Sequence, residues 1–253
     1  MLQTKTLGSN FLKNLTTKPN KNLIPKPIFN MRVLVIGDTH APAMHPKYIS
    51  FLKKIERKYN CNRVVHIGDL VDWSAISFHE KDPSMPGAVE EYKTARKQVS
   101  KIHKAFPKVD YMIGNHSDLP ARKAALVGLP TEVMIPFKKL WGLDGWKIHE
   151  RFSDLRLDNV IYRHGDKGKG GQRLAALSNA KDEHCSLVQG HYHSQFGIEF
   201  AANHDRAIWG MQVGCGVSPN HPSMRYSRVY SQRPLLGCGV VINGEPCTER
   251  MFL

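Results

Sequence analysis

The chain has 253 residues, of which 41% are hydrophobic, so it can enclose one sizeable core but has little length left for a second large domain. Lysine and arginine number 36 against 22 aspartate and glutamate residues, and the resulting net charge of +14 favours a polyanionic partner. The apolar runs fall short of the roughly 18 to 20 residues of a membrane-spanning helix, and the five cysteines are scattered without a CxxC pair, so we expect no membrane segment and no disulfide framework, and a cytoplasmic location.

Residues 1–30 differ in composition from the rest of the chain. They contain five lysines and neither aspartate nor glutamate, so most of the positive charge lies elsewhere. We predict a flexible basic N-terminal extension here, with a targeting signal or a short docking segment as alternatives. Residues 31–253 are predicted to form a single domain.

From Met31 onward, short apolar runs alternate with longer amphipathic ones, which is typical of an α/β protein. The first half predicts, in chain order, strands and helices at Val33–Ile36 (strand), Tyr48–Tyr59 (helix), Arg63–Ile67 (strand), Val89–Ala105 (basic helix) and Val109–Ile113 (strand). A connection is predicted at Leu140–Trp146. The second half is richer in strands, which are predicted near Asn159–Tyr162, Ser186–Gln189, Ala207–Val213 and Gly239–Ile242.

Polar residues and glycines are concentrated where these predicted strands end. The segments are Gly37-Asp38-Thr39-His40, Gly68-Asp69-Leu70-Val71-Asp72, Gly114-Asn115-His116, His164-Gly165 and Gly190-His191-Tyr192-His193. In open α/β sheets, the carboxyl ends of the strands form the crevice in which ligands bind. We therefore expect these five loops to converge on one site.

The side chains in these loops are donors that bind metal ions. Asp38 and His40 are one residue apart, so on an extended segment both project from the same face and can chelate one ion. His191 and His193 repeat this spacing. A carboxylate able to bridge two ions, an amide oxygen and another imidazole come from Asp69, Asn115 and His164. This mixed nitrogen and oxygen set suits Mn²⁺, Fe, Zn²⁺ or Co²⁺ better than a soft-metal centre.

The order of the motifs resembles that of the calcineurin-like metallophosphoesterases, whose pattern is DxH, GDxxD, GNH followed by an acidic residue, H and GHxH. The resemblance spans Met31 to His193. It implies a four-layer αββα sandwich with mixed sheets and two divalent metals, for which Mn²⁺ is the first choice and Fe, Zn²⁺, Co²⁺ or Ni²⁺ are alternatives. One metal would be held by Asp38, His40, Asp69 and His193, and the other by Asp69, Asn115, His164 and His191.

The resemblance also implies hydrolysis of a phosphoester by metal-activated hydroxide. His116 is the predicted catalytic residue, which stabilises the developing charge or protonates the leaving oxygen. The chain departs from the pattern after GNH, where Ser117 precedes Asp118. Either Asp118 orients His116, or Asp72 supports a ligand histidine.

Clustered cations bear on the substrate. One cluster lies on the predicted basic helix, and another, near His164, supplies the predicted substrate contacts Arg163, Lys167, Lys169 and Arg173. A third interleaves arginines with tyrosines at residues 225–233, as single-strand binders do. These clusters favour a phosphodiesterase or nuclease acting on DNA or RNA. A phosphatase or small-molecule phosphodiesterase and a metal-poor interaction scaffold are the alternatives, and the sequence indicates no oligomeric state.

Overall fold

The computed structural model describes residues 30–78, 84–170, 174–223 and 232–253. Within these ranges the strands are β1 (Arg32–Ile36), β2 (Arg63–His66), β3 (Asp110–Met112), β4 (Lys147–His149), β5 (Leu155–Leu157), β6 (Val160–Arg163), β7 (Ser186–Gln189), β8 (Phe196–Ala202), β9 (Ala207–Val213), β10 (Gly237–Ile242) and β11 (Glu245–Arg250). The helices are α1 (Tyr48–Lys58), α2 (Ala88–Ala105), α3 (Leu119–Leu126), α4 (Phe137–Trp141) and α5 (Ala175–Asp182). The predicted N-terminal extension lies outside the described residues, apart from Asn30, and stays a prediction.

The strands form two mixed sheets. The six-stranded sheet has the order β11-β10-β1-β2-β3-β4, in which β1 to β4 are parallel and β10 and β11 run antiparallel to their neighbours. The five-stranded sheet has the order β5-β6-β7-β9-β8, with parallel β6, β7 and β9 between antiparallel edge strands. Both sheets therefore have a parallel centre whose strands end at a common edge.

The alternation of side chains along β1 explains the layers. Val33 and Val35 pack between the two sheets, against residues such as Met211. Leu34 and Ile36 point the other way, into a second core that includes residues of α1 and α2. On the far side of the five-stranded sheet, α5 packs its alanines against β6 and β7. The order of layers is helix, sheet, sheet, helix, so the predicted αββα fold is confirmed.

The strand and helix predictions in the first half agree with the structure to within about two residues at each end. Four strands were missed, β4, β5, β8 and β11. The first two contain three residues each, β8 is mostly exposed or half-buried, and β11 has the polar sequence EPCTER. The predicted connection from Leu140 overlaps α4, because Trp141 is buried in the core and closes a short helix. Helix α3 was also missed.

Among the described residues, no helix combines the length and the apolar character needed to cross a lipid bilayer.

Candidate metal centre

A first group of metal donors lies where β1 and β7 end. Donor atoms of Asp38, His40 and His193 all lie within 4.8 Å of one another. Asp38 Oδ2 accepts a hydrogen bond from the backbone N–H of His191 at 2.8 Å and lies 3.2 Å from His193 Nε2. The GHxH loop of one sheet is thus in direct contact with the DxH loop of the other.

A second group lies beside the first. Donor atoms of Asp69, His164 and His191 fall within the same 4.8 Å limit. His164 Nε2 is 3.2 Å from Asp69 Oδ2 and 3.0 Å from Asn115 Oδ1. All seven residues that the motifs single out as metal donors therefore converge on one place in the molecule.

Asp69 occupies the position between the two groups. Its Oδ1 accepts hydrogen bonds from the backbone N–H groups of His116 and Ser117, at 2.8 and 3.2 Å. Its Oδ2 lies 3.2 Å from His164 Nε2 and 3.6 Å from His40 Nε2, one atom in each group. One oxygen therefore anchors the loop, and the other can reach two ions.

Two buried polar atoms indicate that cations fit here. Asp38 Oδ1 and His40 Nε2 are fully buried and have no hydrogen-bond partner within the described parts of the chain. Buried polar atoms in native proteins are nearly always satisfied. A carboxylate oxygen and an imidazole nitrogen left open in the same group are the donors that a divalent metal would satisfy.

Asp72 is the outer carboxylate of the site. Its Oδ1 accepts a hydrogen bond from His40 Nδ1 at 2.8 Å, and its backbone carbonyl accepts one from His116 Nδ1 at 2.9 Å. Asp118 lies instead 3.4 Å from the guanidinium of Arg151. Of the two acids considered for this supporting role, the structure therefore brings Asp72 to the histidines.

The carboxylates dominate the electrostatics of the site. Burial lowers the pKa of His116, but the hydrogen bond to Asp72 and the charge of Asp69 outweigh it and raise this pKa to about 9. Burial likewise lowers the pKa of His164, and the charges of Asp69 and Asp38 raise it to about 9. Without bound cations, protonated histidines thus balance an excess of buried negative charge. A divalent metal would replace the proton of the proposed ligand His164.

The backbone at the site is unusual. His40, Asp69 and His191 have φ values of 45°, 36° and 69°, in the left-handed region that residues with a Cβ rarely adopt. Such conformations cost of order 1–3 kcal/mol each and persist where the surrounding structure fixes them. The preceding Gly68 cannot carry a side chain, because an added Cβ would lie 2.0 Å from His164 Nδ1. The glycine-ligand pairs of the sequence are thus required by close packing.

The predicted substrate contacts are mostly occupied by acids. Arg163 is buried, and its guanidinium donates to Asp154 at 2.8 and 2.9 Å and also binds Glu183. Lys167 lies 3.5 Å from Asp154, and Lys169 pairs with Asp182. Arg173 and residues 225–231 lie outside the described residues. Arg163 therefore forms ion pairs within the protein instead of facing a substrate, and the sequence pattern alone could not reveal these pairs.

The structure brings a different arginine to the site. Arg122 Nη1 donates to the backbone carbonyl of Asn115 at 3.1 Å. Arg122 was missed because α3 was not predicted, although Pro120 near the start of this segment is a signal for a helix N-terminus. Once α3 is recognised, Arg122 lies near its start, six residues after His116.

Solved structures with a similar fold come from several organisms. They include Yfce, a phosphoesterase from E. coli, at 13% identity and a TM-score of 0.43, covering 84% of this chain and 89% of that chain. Vps29 from Chaetomium thermophilum is 12% identical with a TM-score of 0.42, covering 87% and 95% of the two chains. The nuclease MPE from Pseudomonas putida is 14% identical with a TM-score of 0.33, covering 85% and 87%.

A search of curated proteins finds no match. The sequence model of the calcineurin-like phosphoesterases, in contrast, matches residues 31–221, which include all five motifs and most of both sheets. The chain therefore belongs to the calcineurin-like phosphoesterase family and is a metal-dependent hydrolase that acts on phosphoester bonds.

Proposed function

We propose that the chain is a phosphodiesterase that cleaves nucleic acid with two divalent metal ions. The observation that carries the metal site is the pair of donor groups on either side of Asp69. The first group also contains two buried donor atoms that have no hydrogen-bond partner among the described residues. When bound, the two ions supply charge neutralisation for the phosphoryl oxygens and activate the attacking water.

The two donor groups support a specific assignment of ligands. One ion would be held by Asp38, His40, Asp69 and His193, and the other by Asp69, Asn115, His164 and His191. The donors are imidazoles, carboxylates and an amide oxygen, without a thiolate, and Mn²⁺ is our first choice among the ions that accept such a set.

His116 is proposed to deliver a proton to the leaving oxygen. Its Nδ1 donates to the carbonyl of Asp72 at 2.9 Å, so a second proton would be carried on Nε2. Its ring centroid is 4.6 Å from that of His40, next to the first donor group. The side chain is 19% exposed, which leaves a path to a substrate. A histidine held in this way is suited to general acid catalysis near neutral pH.

Nucleic acid as the substrate is supported by charge. The chain carries a net charge of +14, and Arg122 is placed directly beside the proposed ligand Asn115. Proteins that contact several phosphates with lysine and arginine bind nucleic acid in a salt-dependent way. The acid partners of Arg163, Lys167 and Lys169 favour the second candidate, a phosphatase or small-molecule phosphodiesterase, because they leave fewer cations for a long polyanion.

A reducing location such as the cytoplasm is proposed from the cysteines. All five are free thiols. Cys215 is fully buried, and burial raises the pKa of its thiol to about 12, so it is unreactive as a nucleophile.

The substrate class can be tested with Mn²⁺-supplemented protein. We expect bis-p-nitrophenyl phosphate to be turned over faster than p-nitrophenyl phosphate, and oligonucleotides to be cleaved in a salt-sensitive way. Asp69→Asn should lose all three activities. Turnover confined to monoesters or mononucleotides would favour the phosphatase or small-molecule alternative. Folded protein without metal or activity would indicate a scaffold.

A further inference from the structure

Phe78, Arg122 and Lys123 form a group of one exposed aromatic ring and two half-buried cations, which we call the rim cluster. We propose that the rim cluster binds single-stranded nucleic acid, with a base stacked on Phe78 and the adjoining phosphates contacted by the two cations. This inference rests on the proposed function and specifies the form of its substrate.

The rim cluster is attached to the metal centre through Arg122. The Arg122 guanidinium donates to the carbonyl of Asn115 at 3.1 Å, and Asn115 is both a proposed ligand and the neighbour of His116. In the part of the chain that the structure describes, neither Arg122 nor Lys123 forms an ion pair with a carboxylate. Arg163, in contrast, is neutralised by two acids. Arg122 and Lys123 therefore keep charges that can bind a phosphate.

Phe78 supplies the aromatic surface. Its side chain is 49% exposed, although it is a large apolar group. Lys123 Nζ lies 3.8 Å from the centroid of its ring, and Arg122 Cζ lies 4.9 Å away. These cation–π contacts hold the ring and both charges together at the surface. A bound base would stack on the part of the ring that is now in water, away from the area that Lys123 covers.

The chemistry of the rim cluster favours a single strand over a duplex. Proteins that bind single strands without sequence preference combine cations along the backbone with aromatic rings on which bases stack. In a duplex, both faces of each internal base are already covered by neighbouring bases, and only an unpaired or terminal base offers a free face. An exposed phenyl ring beside two cations is therefore matched to an unpaired nucleotide next to the bond that is cleaved.

Binding and cleavage should be measured separately. Binding of a fluorescent single-stranded oligonucleotide with phosphorothioate linkages, which resist hydrolysis, is measured by anisotropy on the Mn²⁺-loaded protein. We expect Phe78→Ala to weaken binding by about 5- to 150-fold, the range for loss of one stacked base. Phe78→Trp, which keeps a stacking surface, should bind at least as well as the unmodified chain.

Phe252 offers a matched control. It is 80% exposed and carries the guanidinium of Arg250 at 5.2 Å from its ring, yet it follows β11, at the opposite edge of the six-stranded sheet from β3 and β4. Phe252→Ala should leave oligonucleotide binding unchanged. Arg122→Gln and Lys123→Gln should each lower the dependence of log K on log salt by about 0.7, the value for one phosphate contact on a single strand.

The outcomes separate this inference from the proposed function. Equal binding by Phe78→Ala and Phe252→Ala, tighter binding of duplex than of single strand, or no binding at all would overturn the rim cluster as the binding site. Binding that depends on Phe78, without cleavage in Mn²⁺, would support the rim cluster as a binding site and contradict the proposed nuclease activity. Melting temperatures of the variants, expected to equal that of the unmodified chain, exclude misfolding as the cause of lost binding.

Discussion

Replacing Asp72 tests how the outer carboxylate supports the metal centre. Asp72 is 5% exposed, and His40 Nδ1 donates to its Oδ1 at 2.8 Å. Burial raises the pKa of Asp72, but the hydrogen bonds from His116 and His40 outweigh it and hold the pKa well below its usual range. The carboxylate is therefore charged when it orients His40, and the bond is of the strong, charge-assisted kind.

The expected loss follows from this geometry. A hydrogen bond to a charged group contributes about 1.5–3 kcal/mol, which corresponds to roughly 10- to 150-fold in an equilibrium constant. Loss of the partner of a metal-binding histidine typically costs about 10- to 100-fold in metal affinity or activity. We expect Asp72→Ala to fall within this range and Asp72→Asn, which keeps a neutral acceptor for His40, to fall near its lower end.

The assay is activity on bis-p-nitrophenyl phosphate as a function of free Mn²⁺ concentration. Asp118→Asn is the matched control, because Asp118 is also an aspartate near His116 but lies 3.4 Å from Arg151 rather than on a histidine. We expect the control to shift the Mn²⁺ dependence by no more than roughly twofold. Equal shifts for the two variants, or none for Asp72→Ala, would refute the supporting role of Asp72.

Three further variants test other parts of the site. His116→Ala should keep its metal content but slow turnover by about 10²-fold for substrates with poor leaving groups; unchanged turnover would contradict acid catalysis. Gly68→Ala should lower the metal content measured by elemental analysis, because the new Cβ displaces His164, whereas Gly87→Ala, which has open space around its added carbon, should not. Arg163→Met should lower the free energy of unfolding by about 2–3 kcal/mol in urea titrations, since it leaves two partly exposed carboxylates without their partner; full stability combined with a raised KM would instead indicate a substrate contact.

The sequence predicts the central architecture well because its signals are local. Most strands that end in ligands are short apolar runs followed by glycine, and β6, which His164 follows directly, is the exception. Burial on both faces makes these strands easy to recognise, as in β1. Edge strands lack this signal. β11 is polar along much of its length and is held by pairing with β10, a long-range contact that a local pattern does not contain.

The roles of individual cations could not be predicted in the same way. Arg163 and Arg122 both lie near motif residues in the sequence, but only the fold determines which one finds acids and which one reaches the loop of Asn115. Asp154, nine residues before Arg163, pairs with it across the β5–β6 hairpin. The motifs therefore predict bond chemistry, and the partners of the surrounding charges, which bear on substrate choice, require the structure.

The two donor groups draw on both sheets. Asp38, Asp69 and Asn115 follow strands of the six-stranded sheet, whereas His164, His191 and His193 follow strands of the five-stranded sheet. Ions bound between them would act as cross-links across the apolar interface that joins the halves of the domain. A ligand present at 100 times its dissociation constant stabilises the folded state by about 2.7 kcal/mol per site. A chelator would then destabilise the folded state as well as inhibit the enzyme. Loss of activity in EDTA would therefore have two causes, the removal of the metal ions and a lower stability of the fold.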